Sequence, residues 1–201
     1  MIDQHGRGIT YLRISVTDKC NLRCRYCMPE EGVCKRSHYE MMSEDEVVTA
    51  VEVAASLGIH KIRLTGGEPL VKKNIVSICR RIAAVEGIRE VCLTTNGILL
   101  PQLGKQLREA GVSRLNLSLD TLNPQKYSYI TRIGQLQQFE AGLKAALEAG
   151  CAALVVELVD PLPKGARSIL ETLDEEINRF MVEVDAALST SNALTQITVE
   201  Y

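Results

Sequence analysis

Three cysteines stand at the spacing C-x3-C-x2-C, in the run Cys20-Asn21-Leu22-Arg23-Cys24-Arg25-Tyr26-Cys27. So short a spacing puts three thiolates on one tight loop, close enough to share a metal centre. Their number is informative. A closed structural zinc takes four protein ligands, whereas an iron–sulfur cluster held by three cysteines leaves one iron open to an outside ligand. Cys34 would complete a four-cysteine zinc site, and that alternative stays open at this point. Cys79, Cys92 and Cys151 are scattered singly among apolar neighbours and read as small buried hydrophobes.

The elements that must position this loop follow from the hydrophobic pattern. Tyr11-Leu12-Arg13-Ile14-Ser15-Val16 alternates with period two, which predicts a strand ending where the cysteine loop begins. Ser43-Glu44-Asp45-Glu46 is a capping box, and Val47, Val51, Ala54 and Ala55 supply one apolar helix face before Gly58. The plan then repeats. Lys61–Leu64 reads as a strand, Thr65-Gly66-Gly67-Glu68-Pro69 as a loop and 74–85 as a helix. Glu90–Thr94 leads into Thr95-Asn96-Gly97 and a helix near 101–110. Arg114–Leu119 leads into Asp120-Thr121-Leu122-Asn123-Pro124 and a helix near 139–149.

Strands alternating with helices imply parallel strands joined by right-handed crossovers, either an open doubly wound sheet or a barrel. Both arrangements gather the loops after the strand C-termini around one ligand. Here those loops carry the cysteines, Gly-Gly-Glu-Pro, Thr-Asn-Gly and Ser-Leu-Asp.

Composition narrows the class. The 201 residues are 46% hydrophobic and 24% charged, enough for one domain with a sizeable core and unlike a disordered or fibrous chain. Seven cysteines are too sparse for a secreted disulfide scaffold. Net charge is −2, against a general nucleic-acid binder, yet residues 1–150 carry 20 basic and 16 acidic side chains (+4) and residues 151–201 carry 3 and 9 (−6). The body suits an anionic ligand and the tail does not. No apolar run spans a membrane and the first residues lack a secretory h-region, so a cytoplasmic protein without membrane attachment is expected.

On Cys20, Cys24 and Cys27, with the aromatic Tyr26 just before the third cysteine, the sequence resembles the radical S-adenosylmethionine enzymes. Within that superfamily, residues 11–29, Leu64-Thr65-Gly66-Gly67-Glu68-Pro69-Leu70 and Thr94-Thr95-Asn96-Gly97 are similar to the GTP 3',8-cyclase family of molybdenum cofactor biosynthesis, over residues 1–150. The resemblance implies a partial (β/α)6 TIM-type barrel of parallel strands and one 4Fe-4S cluster on Cys20, Cys24 and Cys27. Its open iron would bind S-adenosylmethionine, whose reductive cleavage gives a 5'-deoxyadenosyl radical. It implies cofactor contacts from Tyr26, Gly66, Gly67, Glu68, Thr94, Asn96 and Ser118. Arg13 and Arg63 would face GTP, which is converted to 3',8-cyclo-7,8-dihydro-GTP. Each arginine also suits a strand-face ion pair, and Asn96 and Asp120 suit ordinary turns. An electron donor protein is the implied partner, and a homodimer is the base-rate expectation.

After residue 150 the similarity stops. The family's basic fifth strand, later arginines and second three-cysteine motif have no counterpart in residues 151–201, which reads as a core truncated at its C-terminus with a divergent acidic tail and impaired GTP grip. That tail has a pattern of its own: a strand over 152–159, a helix opening at Ser168-Ile169-Leu170-Glu171 and a last strand over 195–201, as strand–helix–strand of the same domain. Two other functions fit: radical chemistry on another substrate, or a non-catalytic metal-binding fragment with zinc on Cys20, Cys24, Cys27 and Cys34.

Overall fold

A computed structural model describes residues 8–33 and 41–157, with the side chains of 152–157 left out of the description. Five strands form one parallel sheet: β1 Tyr11–Ser15, β2 Lys61–Thr65, β3 Glu90–Thr95, β4 Val112–Leu119 and β5 Ala152–Glu157. Their spatial order is the chain order. Every crossover therefore steps in the same direction, which is barrel progression and not the reversal of a doubly wound sheet. This settles the choice that periodicity left open. The helix over 168–188, the strand over 195–201 and Cys34 lie outside the described residues.

The crossovers are α1 Glu44–Ser56, α2 Ile75–Ala83, α3 Leu100–Glu109, and the pair α4 Pro124–Thr131 and α5 Leu136–Glu148. Helix α1 begins where its capping box predicts, with Ser43 and Glu46 each accepting from the other's backbone N–H. Helix α4 was not expected; Asp120–Pro124 reads as a turn, but the Asn123 side chain accepts from the Lys126 N–H and Pro124 takes the first turn, together starting a helix.

The two faces of the sheet differ in chemistry. Ile14, Ile62, Leu64, Val91, Leu93, Leu115 and Leu117 are buried in a core shared with Val47 and Val51 of α1, Ile75, Ile78 and Ile82 of α2, Leu107 of α3, and Phe139 and Leu143 of α5. Because successive strand residues point to opposite faces, the residues between them form the inner face. Register aligns that face in rows: Tyr11, Lys61 and Glu90; then Arg13, Arg63, Cys92 and Arg114; then Ser15 and Thr65, with Thr94 beside Asn116. Along β1 to β4 these rows are mostly polar, with Tyr11 and Cys92 among them.

One backbone approach fixes the outer layer. A Cβ on Gly142 of α5 would lie 2.1 Å from the Gly97 carbonyl oxygen, so glycine alone lets α5 rest directly on the loop that follows β3. A Gly142→Ala variant is expected to lose about 1–3 kcal/mol of stability through overpacking. Urea unfolding with an unchanged m-value checks it; a midpoint equal to wild type would contradict the contact.

Candidate functional site

The site is built at the C-terminal edge of the sheet, where four loops meet. The loop after β1 turns tightly: the N–H groups of Cys27 and Met28 both donate to the Cys24 carbonyl, at 3.1 and 2.9 Å. Cys24 is buried, Cys20 half-buried and Cys27 exposed. The Leu22 N–H donates to the Cys20 sulfur at 3.3 Å. Burial pushes the Cys24 thiol up to about 12, and the neighbouring Cys27, Asp120 and Cys20 add to it. Burial raises Cys27 too, with Cys24 and the Arg132 cation acting the other way. The thiols thus feel one another and are neutral at pH 7 without metal, while a bound cation would draw off their protons.

This donor set fits an iron–sulfur cluster: three soft ligands on one loop, one of them facing solvent. Among the described residues no three His, Cys, Asp or Glu side chains close around the position of a single ion. The fourth zinc ligand considered, Cys34, falls outside the described residues.

The Gly66-Gly67-Glu68 loop locks onto the cysteine loop through backbone. Gly67 N–H donates to the Thr17 carbonyl at 2.7 Å and Glu68 N–H to the Lys19 carbonyl at 2.8 Å. A Cβ on Gly66 would lie 2.3 Å from Thr17 O, and one on Gly67 2.4 Å from Lys19 O. Both glycines are therefore required by loop-on-loop packing before any ligand is considered.

Glu68, only 1% exposed, joins this loop to the next. Its carboxylate accepts from Leu70 N–H at 3.0 Å, Thr95 Oγ1 at 2.6 Å and Asn96 N–H at 2.7 Å. Burial raises the carboxyl above its ordinary range, and these three donors oppose the rise. Asn96 in turn donates through Nδ2 to Asn21 Oδ1 at 2.8 Å, with the Cys20 sulfur at 4.0 Å. Sequence-level turn chemistry for Asn96 is also visible, since its Oδ1 accepts from Ile98 N–H. Tyr26 is largely exposed but anchored, its hydroxyl donating to Asp120 Oδ1 at 2.9 Å across the mouth of the barrel.

Thr94 and Ser118 are half-buried on the inner face near this edge, with Asn116 between Arg114 and Ser118 along β4. Asn116 is 5% exposed and its Oδ1 has no hydrogen-bond partner, an acceptor buried without a donor. It is not singled out by any motif; the alternation Arg114, Asn116, Ser118 carries the signal, three polar residues on one face with Leu115, Leu117 and Leu119 on the other.

Arg13 and Arg63 are direct register partners on β1 and β2, one row below Thr94 and Asn116, roughly 7 Å by strand rise. Among the described residues neither forms an ion pair: Arg13 donates weakly to Thr65 Oγ1 at 3.4 Å, and Arg63 lies 5.4 Å from the Tyr11 ring centroid with its Nε buried and unpartnered. The strand-face ion pair considered for each is thus absent among the described residues. The carboxylate below them, Glu90, is engaged by Lys61 at 3.1 Å and Arg114 at 3.4 Å. Among the described residues, four cations share this face with one carboxylate.

With the geometry in view, comparison with known proteins is specific. The family described as the Radical SAM superfamily matches residues 14–175. GTP 3',8-cyclase of Peptoclostridium acidaminophilum is 50% identical over 159 residues, covering 79% of this chain and 49% of the relative. GTP 3',8-cyclase of Geobacter sulfurreducens is 55% identical over 150 residues, covering 75% and 46%. The chain thus spans about half the length of the curated relatives it matches. Among solved structures, SuiB of Streptococcus suis bound to S-adenosylmethionine superposes with a TM-score of 0.64 at 15% identity, over 96% of this chain and 50% of that one, a likeness of fold. Among the described residues no helix is long and apolar enough to cross a membrane.

Alkylation of the reduced, metal-free protein with iodoacetamide, read residue by residue, checks the thiol chemistry. Exposed Cys27 should react first. Cys24 should be nearly inert at pH 7 and gain about tenfold per pH unit up to pH 9, because its thiolate fraction rises throughout that range. A Cys24 rate that levels off by pH 9 would contradict the raised value.

Proposed function

The chain belongs to the radical SAM superfamily, and from that premise we propose that it holds one 4Fe-4S cluster on Cys20, Cys24 and Cys27 and acts on a nucleoside triphosphate, converting GTP to 3',8-cyclo-7,8-dihydro-GTP. When bound, the cluster supplies the electron that cleaves S-adenosylmethionine to methionine and a 5'-deoxyadenosyl radical. An electron donor protein must in turn reduce it.

The remaining work belongs to side chains of this chain. With their N–H groups spent on Thr17 and Lys19, Gly67 and Glu68 leave the carbonyls of the Gly66-Gly67 loop to accept from the amino group of the methionine moiety. Glu68 keeps that loop in place through Thr95 and Asn96. Tyr26, held by Asp120, flanks the open side of the cysteine turn, where an adenine ring would rest. Thr94, Asn96 and Ser118 offer polar groups to the cofactor along the sheet edge, and the unpartnered Asn116 Oδ1 offers an acceptor just below.

The observation that carries the substrate reading is the Arg13–Arg63 pair. Two guanidiniums on adjacent strands, without a carboxylate partner among the described residues, repel each other until an anion lies between them. Guanidinium stays charged and donates in a fork, which suits a phosphate better than any neutral ligand. Their row lies below the cofactor edge, so a triphosphate bound there would direct its nucleoside upward, toward the methionine-binding loop. The positive balance of residues 1–150 works in the same direction.

Reconstituted protein supplied with S-adenosylmethionine, reductant and GTP is expected to form the cyclised nucleotide. Arg63→Ala is expected to raise KM for GTP about tenfold or more, as loss of a charge-assisted hydrogen bond worth about 1.5–3 kcal/mol implies. Deoxyadenosine release without GTP should be unchanged in that variant. Deoxyadenosine with no cyclised nucleotide from the wild-type chain would overturn GTP as the substrate and favour another one.

A further inference from the structure

Arg132 is the only non-glycine residue with positive φ among the described residues, at φ 63 and ψ −45. The Ile133 N–H donates to the Thr131 carbonyl at 2.8 Å across it. This is a γ-turn of the rare, strained sense, in a region that glycine enters freely and a side chain does not. Such an outlier persists only where the surroundings hold it, and so points to a function for the residue that bears it.

What holds it is the cysteine turn. Arg132 Nη1 donates to the carbonyl of Arg23 at 2.6 Å and to that of Met28 at 3.0 Å. Those two carbonyls bracket Cys24 and Cys27, so one guanidinium closes the segment from Arg23 to Met28 into a ring. The backbone of the same stretch is paired alongside: Arg23 N–H donates to Thr131 O at 3.1 Å and Arg25 N–H to Ile130 O at 2.9 Å. Arg25 adds its side chain, stacked 4.1 Å from the Tyr129 ring centroid and donating through Nε to Tyr129 O. Thr131 Oγ1, accepting from Gly134 N–H and donating to Tyr127 O, fixes the γ-turn from beneath.

We propose that Arg132 is a positioning residue whose guanidinium staples both ends of the Cys24–Cys27 turn and holds it in ligating shape before any metal arrives. That the turn ligates a cluster rests on the function proposed above; the staple itself is a property of the metal-free chain. Side-chain chemistry, not backbone convenience, then explains an arginine where glycine would be unstrained.

The test is hydrogen exchange at the amides of Cys27 and Met28 in the reduced, metal-free 201-residue chain. Arg132→Gly removes the staple and the strain together. It should exchange at least tenfold faster at these two amides, with a melting temperature equal to or above wild type. Arg132→Lys, which keeps a donor but loses the fork, should fall between. Arg132→Met, which keeps a long stem without donors, should match the glycine variant, and decides the matter if that variant does not fold. Exchange within twofold of wild type in the glycine or methionine variant would overturn the proposal. A wild-type chain that takes up no iron on reconstitution would contradict the cluster reading alone, leaving the exchange result to decide the staple by itself.

Discussion

The arrangement of the candidate site depends on one buried carboxylate. Glu68 accepts from the Leu70 and Asn96 backbones and from the Thr95 hydroxyl, tying the loop after β2 to the loop after β3. Through its own N–H and that of Gly67 the same segment is fastened to the loop after β1. Three of the four loops at the barrel mouth are thus tied together by hydrogen bonds. A charge so deeply buried is costly unless every lone pair is met, and here the donors are backbone and hydroxyl groups that the fold already fixes. That bond set fixes Thr17 and Lys19, the entry to the cysteine turn, against the sheet.

Around this clasp the barrel separates two tasks by height and by face. The outer face is aliphatic and buries the helices. The inner face carries the polar rows, with hydroxyl and amide groups near the sheet edge and cations one row lower. Alternation along each strand produces the division without cost to the core, since a residue facing inward takes no place from one facing the helices. On the opposite side, α4 and the γ-turn after it support the cysteine turn from outside the sheet.

Much of this could be read in the sequence because its determinants are local. The capping box at Ser43, the period-two strands and the glycines closing helices are short-range patterns, and they placed β1 to β4 and α1 to within a few residues. The spacing of Cys20, Cys24 and Cys27 is likewise local, and the structure brings all three onto one tight turn. The roles of Gly66, Gly67 and Glu68 were less so. A Gly-Gly-Glu run suggests ligand contact, but Thr17 and Lys19, whose carbonyls require the glycines, are about fifty residues earlier in the chain. Arg132 was not legible at all: nothing near it in sequence announces a γ-turn, and its acceptors on Arg23 and Met28 lie more than a hundred positions away. Asp-Thr-Leu-Asn-Pro contains both a turn and a helix start, so its residue types alone do not reveal helix α4.

The proposed function requires this chain to assemble a radical-generating centre. The most direct measurement is anaerobic reconstitution with iron and sulfide, followed by iron counting and assay of 5'-deoxyadenosine formed from S-adenosylmethionine and dithionite. About four irons per chain, the content of one 4Fe-4S cluster, are expected, with deoxyadenosine formation that disappears when Cys24 is changed to Ser. Zinc in place of iron, or a four-iron cluster that leaves S-adenosylmethionine intact, would contradict it.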